Sequence, residues 1–276
     1  RASPQRAPAP APGSAPIVGT SQALEKEYLR LTEHANPDNV RPEPVLRRAF
    51  AFVRDKYARG AEDHLYLLDQ LRAIRQDLLV QNVQNAFTAA VYEANFEAAL
   101  EHQDKLQTTE CLAQVLDLYR AGVPGRREEF TLYRLLHLTL SSSVGEVQRF
   151  LREAGAQFLR SPGFALAAQL IDALNSGNLH WPFVYMRSGP QRPVRLLLAM
   201  FADRLRVWRL QTVAHSFGER IACARLTEML CFAGEEELIK FFEENSWSVD
   251  ARKRTIDLAA LRAALETHKY GEVQIY

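Results

Sequence analysis

The chain has 276 residues, enough for one large domain or two modest ones around a real hydrophobic core. Its 34 lysines and arginines against 33 acids give a formal charge of +1, which excludes a bulk polyanion-binding charge and leaves room only for a local patch. Three cysteines (Cys111, Cys223, Cys231) make an odd set without C-x-x-C spacing, so disulfide scaffolds and zinc ribbons are disfavoured and a reducing compartment is expected.

Residues 1–17 form the first expected element, a disordered or polyproline-like tail. RASPQRAPAPAPGSAP has five prolines and five alanines and no large apolar side chain to offset ordering entropy. It also lacks the apolar core of a signal peptide. Beyond it, alanine and leucine supply 37 residues each against 24 for valine plus isoleucine, a balance that favours helix over strand. No apolar run approaches eighteen residues, so no membrane span is expected.

Thr20 or Ser21 can cap a helix through Tyr28, Leu29 and Leu31, stopped by Asn36-Pro37-Asp38. Arg41-Pro42-Glu43-Pro44 opens the next, with Leu46, Ala49, Phe50 and Val53 at helical spacing. A long helical segment is predicted over 62–102, which has no internal proline or glycine. Breaks near 104, 145 and 177 then separate amphipathic runs in the irregular rhythm of stacked helix pairs, an α-solenoid. Pro193 starts a helix over 194–215 whose apolar residues nearly encircle it, which requires burial on several sides.

Glu219-Arg220-Ile221 leads into a helix through Leu226 and Leu230, and Gly234 turns the chain into another over Glu235 to Glu244. Trp247, Val249 and Ile256 alternate around a basic turn at 251–254, as in two short strands. Helix, helix, hairpin is the order of a winged helix with 251–254 as its wing. The expected architecture is therefore mostly α: a helical-repeat domain (18–192), then a connecting helix and winged helix (193–276), the arrangement of PCI proteins.

Specific blocks carry a resemblance. Val18-Gly19-Thr20-Ser21-Gln22-Ala23-Leu24-Glu25-Lys26-Glu27-Tyr28-Leu29-Arg30-Leu31-Thr32, continued by Val40-Arg41-Pro42, resembles the opening block of the GANP/Sac-three family. Asp69-Gln70-Leu71-Arg72-Ala73-Ile74-Arg75-Gln76-Asp77-Leu78 is similar to that family's most recognisable motif. Asn85-x-Phe87-Thr88, Val91-Tyr92-Glu93, Glu129-Phe130-Thr131-x-Tyr133-Arg134 and Gly177-Asn178 follow in the expected order. The opening block and Gln70-Leu71 look nearest the branch of leukocyte receptor cluster member eight. The resemblance covers about 18–245; the winged-helix strands and the residues past Asp257 match in pattern alone. The resemblance implies a nuclear scaffold with a PCI-like fold that pairs with a second PCI-domain protein and a small acidic DSS-one/Sem-one protein. It further implies RNA binding in messenger-RNA synthesis, splicing or export, with no catalysis and no cofactor.

The residues agree with a non-enzymatic reading. Seven scattered histidines give no H-E-x-x-H, and neither a G-x-S-x-G nor a phosphate-cradling glycine loop occurs. Cys223 and Cys231 suit core filling. In the motif (Asp69, Arg72, Ile74, Arg75, Gln76, Asp77) the arginines either contact RNA or a partner, or brace neighbouring helices through acids such as Asp69 or Asp77, the commoner use of arginine amid apolar residues. Residues 187–225 hold eight arginines against Asp203 and Glu219, a local +6, while 226–250 hold seven acids and one lysine.

From this layout Arg204, Arg209, Arg220, Arg225, Arg252, Lys253 and Arg254 are the candidate RNA contacts, since arginine suits bidentate phosphate binding; the alternative is a solvated helix face. Trp247, Val249, Ile256 and Val273 are the candidate partner interface. Two functions stand side by side: an RNA-binding scaffold, or a purely protein-binding PCI scaffold like those of the proteasome lid and signalosome.

Overall fold

Pro42 and Pro44 open helix α1 (Glu43–Ala58), because proline in a first turn forfeits only an N–H that has no helical partner. The computed structural model describes residues 17–31, 35–141, 144–250 and 252–266; residues 1–16 of the expected tail and Val273 lie outside these. A 3-10 turn at Pro37–Asn39 precedes α1, with the Asn36 side chain accepting from the Asp38 N–H. Then come α2 (His64–Val80), α3 (Ala86–Glu101), α4 (Lys105–Arg120) and α5 (Arg127–Ser141). Asp63, Asn85 and Asp104 cap α2, α3 and α4 by accepting first-turn N–H groups, the donors that a helix leaves unpaired.

The chain divides into two compact units, 1–130 and 131–276. In the first, α1, α2 and α3 share a core of Leu46, Ala49, Ile74, Leu78, Phe87 and Val91, while Val53, Leu68, Leu71 and Ala99 extend it. The second contains the short helices α6 (Val144–Glu153), α7 (Gly155–Leu159), α8 (Pro162–Asn175), α9 (His180–Ser188) and α10 (Arg192–Met200). Its last part runs α11 (Ala202–Ser216), β1 (Arg220–Ala222), α12 (Cys223–Met229), α13 (Glu235–Glu244), β2 (Thr255–Asp257) and α14 (Leu258–Glu266). Strands β1 and β2 pair antiparallel, with Ile221 opposite Ile256 and both side chains in the core. No described helix is long and apolar enough to cross a membrane.

Three expected helices differ. Residues 20–31 form no helix: they lie as a strap on α2, whose side chains satisfy the strap's backbone in place of helical hydrogen bonds. The Lys26 N–H donates to Gln70 Oε1 (2.9 Å), the Tyr28 N–H reaches Asp69, and Gln76 Nε2 donates to the Leu29 carbonyl (2.9 Å). The Ser21 and Thr20 N–H groups pair with the carbonyls of Val40 and Pro37. Gly19 is pressed so close that a Cβ there would stand 2.1 Å from the Val40 carbonyl oxygen, so only glycine fits. The 62–102 segment is two helices, divided where Asn82 adopts a left-handed conformation (φ 52°) that asparagine tolerates. The 194–215 helix likewise breaks at Phe201, giving α10 and α11.

Beneath the strap, the Asp77 carboxylate (1% exposed) takes Arg41 Nε and Lys26 Nζ, each at 2.6 Å, and Arg41 is fully buried. Removing the carboxylate leaves a buried guanidinium uncompensated. Asp77→Ala is therefore expected to cost about 3–5 kcal/mol in urea unfolding, and a loss below about 1 kcal/mol would show that the trio does not anchor the strap. In the second unit, burial of His137 pushes its imidazole down to about 4, aided by Arg134, from an ordinary 6.5. The unfolded chain thus binds the extra proton first, so this stability is complete above pH 6.5 and is lost as pH falls towards 4. Between those limits His137→Leu should remove a pH-dependent loss on the order of 3 kcal/mol. Parallel unfolding curves at pH 7 and 4.5 measure it; equal pH dependence in wild type and variant would refute it.

Candidate functional site

Four of the six motif residues of α2 serve the strap. Asp69 and Gln76 hold its backbone, the Arg72 guanidinium lies 4.1 Å from the Tyr28 ring centroid, and Asp77 anchors Lys26 and Arg41. Ile74 is in the core. Arg75 turns away from the strap, donates to Gln107 Oε1 (3.3 Å) and stacks over Tyr92. The described ion pairs thus join Asp77 to Arg41 and Lys26, and leave Arg72 and Arg75 to aromatic faces. Sequence reasoning missed Lys26, Arg41, Gln70 and Gln81 as members of this set; Gln81 accepts from the Gly19 N–H (3.1 Å) and donates to the Arg41 carbonyl (2.8 Å). Their signal was present, since all four fall in or beside the two most specific blocks.

The basic turn lies between Asp250 and Thr255, which exchange backbone hydrogen bonds (2.9 and 3.4 Å). The expected first strand of the hairpin is reduced to this single bridge, and β2 finds its partner in β1 instead. Asp250 Oδ1 accepts the N–H groups of Arg252 (3.2 Å) and Lys253 (3.1 Å), and Oδ2 accepts from Arg220 (3.4 Å). Those donors, led by the Lys253 N–H, hold the Asp250 carboxyl below its usual range. Arg254 is left-handed (φ 49°); its carbonyl accepts from the Cys223 N–H (2.8 Å), and its guanidinium pairs with Glu235 (2.7 Å).

The candidate RNA contacts therefore separate. Arg252 and Lys253 are exposed at the turn and form no ion pair among the described residues. Arg220, Arg225 and Arg254 each engage a carboxylate of this chain: Asp250, Glu228 and Glu235. Arg204 and Arg209 are half-buried on α11, and Arg204 lies over Trp208. They do not share the open exposure of the turn.

The expected interface residues Trp247 and Ile256 are corrected outright: both are core. Trp247 packs edge-on against Phe241 (5.8 Å between centroids) and Phe242 (5.3 Å), and Ile256 is fully buried opposite Ile221. The apolar spacing there records side chains that enter the core, not a wet apolar face. Val249 is half-buried against the same cluster. Cys111 and Cys223 are buried, and burial pushes the Cys111 thiol up to about 11 and that of Cys223 in the same direction, opposite to what a nucleophile needs.

The chain matches the SAC3/GANP family over residues 18–251. It is 33% identical over 225 residues to the leukocyte receptor cluster member 8 homolog of Xenopus laevis, covering 82% of this chain and 28% of that protein. It is 29% identical over 241 residues to the THP3 homolog of Schizosaccharomyces pombe, covering 87% of this chain and 60% of that protein. Against SAC3 family protein A of Arabidopsis thaliana the identity is 33% over 219 residues, 79% of this chain and 21% of that protein. The chain thus spans less than two thirds of the length of each of these relatives.

Placing Trp247 in the core has a direct consequence. Trp247→Ala should destabilise the second unit by about 3–5 kcal/mol, the usual cost of emptying a buried aromatic site, in thermal or urea unfolding of the chain alone. Normal stability with impaired assembly would instead return Trp247 to the surface.

Proposed function

This chain belongs to the SAC3/GANP family, and from that premise we propose that it is a non-catalytic nuclear scaffold in a messenger-RNA processing or export complex, contacting RNA through its basic turn. The relatives named THP3 and SAC3 family protein support the messenger-RNA assignment. In this reading α1–α9 are stacked helix pairs of a solenoid, 18–192, and the remainder is a connecting helix with a winged helix. Successive packing of α1 on α2, α2 on α3 and α3 on α4 supports the first part. The order β1, α12, α13, turn, β2 supports the second. The complex would include a second PCI-domain protein and a small acidic DSS-one/Sem-one protein, as the family implies.

The observation that carries the RNA reading is the exposed pair Arg252 and Lys253, presented at a turn whose backbone is already fixed. Exposed cations that form no ion pair among the described residues can meet phosphates without first breaking such a pair. A specific observation favours the rival, a scaffold that binds protein alone: Arg220, Arg225 and Arg254 already have carboxylate partners.

The test is single-stranded RNA binding by the assembled complex across a salt series. Arg252→Glu with Lys253→Glu should weaken binding similarly for all sequences and reduce the salt slope by about 0.7 for each phosphate no longer engaged. Assembly and unfolding curves should not change, because both side chains are exposed. Unchanged affinity and slope in the reversed complex would decide for the protein-only scaffold.

A further inference from the structure

One carboxylate governs the basic turn. Asp250 Oδ1 accepts two consecutive backbone N–H groups, those of Arg252 (3.2 Å) and Lys253 (3.1 Å), an Asx-type closure that fixes the backbone of these two residues. Its Oδ2 accepts from Arg220 Nη1 at 3.4 Å, and Arg220 also stands directly across the β1–β2 ladder from Asp257. The backbone of Asp250 meanwhile bridges to Thr255, so the side chain acts from a fixed base. Asp257 is already engaged, its Oδ1 accepting the N–H groups of Ala259 (2.9 Å) and Ala260 (3.0 Å) at the start of α14. Of the two acids facing Arg220, Asp250 is therefore the one that holds it by hydrogen bond.

We infer that Asp250 is the positioning residue of the turn and the determinant of its charge: one oxygen orders the backbone that presents Arg252 and Lys253, and the other withholds Arg220 from phosphate. The two effects oppose each other in binding. Ordering the turn raises affinity for a polyanion by reducing the entropy lost on binding, whereas sequestering Arg220 lowers it. The binding half rests on the RNA reading above; the ordering half does not.

Two substitutions separate the halves, because they share the charge change and differ in the acceptor. Asp250→Asn keeps an Oδ1 for the two N–H groups but gives up the charge that holds Arg220. Asp250→Ala gives up both. Amide hydrogen exchange in the full chain should speed up on the order of tenfold at Arg252 and Lys253 in the alanine variant and stay near wild type in the asparagine variant. In single-stranded RNA binding, the asparagine variant should bind more tightly than wild type, with the salt slope steeper by about 0.7 as Arg220 reaches a phosphate. The alanine variant should bind about tenfold more weakly than the asparagine variant.

Equal exchange in wild type and alanine variant overturns the positioning role whatever happens with RNA. Equal RNA affinity of the two variants, with exchange changed, overturns the claim that turn order matters for binding. Absence of RNA binding by wild type is the failure of the functional reading, and the exchange measurement then still decides the positioning role.

Discussion

The first unit depends on a single carboxylate. Asp77 is 1% exposed and holds two cations from outside its own helix, Arg41 at the entrance to α1 and Lys26 in the strap. Its carboxylate also meets the Arg41 N–H (3.4 Å), and Lys26 Nζ also donates to the Asn39 carbonyl (2.6 Å). Desolvating three charges offsets most of their mutual attraction, so the trio's net stabilisation is small. Its effect is geometric. An apolar trio of the same volume would leave the strap free to slide along α2, whereas two cations with fixed hydrogen-bond directions admit one register. Once Lys26 is placed, Gln70, Asp69 and Gln76 fall opposite the backbone groups they bond.

That constraint explains why the two most specific sequence blocks lie some forty residues apart yet constitute one object. The block at 18–32 supplies backbone donors and acceptors, and the block at 69–78 supplies the side chains that read them. A residue-by-residue reading of 20–31 finds a competent helix, with good formers and early acids, because intrinsic propensity is worth tenths of a kcal/mol per residue. The competing bonds come from α2, beyond any local window. Propensity yields to tertiary hydrogen bonds here as it does wherever a partner element offers them.

What was legible follows the same division between local and distant causes. The opening of α1 at Arg41-Pro42-Glu43-Pro44, the break at 102–104 and the entry to α13 at Gly234 are local events written in proline, glycine and short polar residues. The break between α2 and α3 was hidden because it uses neither glycine nor proline: Asn82 turns and Asn85 caps. The division at Phe201 has no breaker residue at all. Trp247 and Ile256 were read with the correct alternation and the wrong exposure, since a period of two states which residues share a face but not what covers that face. Here Phe241 and Phe242 cover Trp247, and Ile256 lies beside Ile221 on the face buried in the same cluster.

Charge was the least transferable signal from sequence to fold, and the reason is specific. The chain reads basic, acidic, basic from 187 to 254, which suggests separate faces of opposite sign. Folding interleaves them. Glu228, Glu235 and Asp250, all from the acidic stretch, pair with Arg225, Arg254 and Arg220 from the basic stretches on either side. Arg206 pairs with Asp203 and lies 3.9 Å from the Phe232 ring centroid, and Arg195 donates to the Gly189 carbonyl. Arginine suits such work because its planar, weakly hydrated head can stack and bond at once. Within the +6 window, Arg195, Arg206, Arg220 and Arg225 are thus engaged by groups of this chain, while Arg252 and Lys253, which belong to the later basic stretch, stand exposed at the turn. At that turn the Asp250 carboxylate holds the backbone N–H groups, Arg254 pairs with Glu235, and the side chains of Arg252 and Lys253 stand exposed.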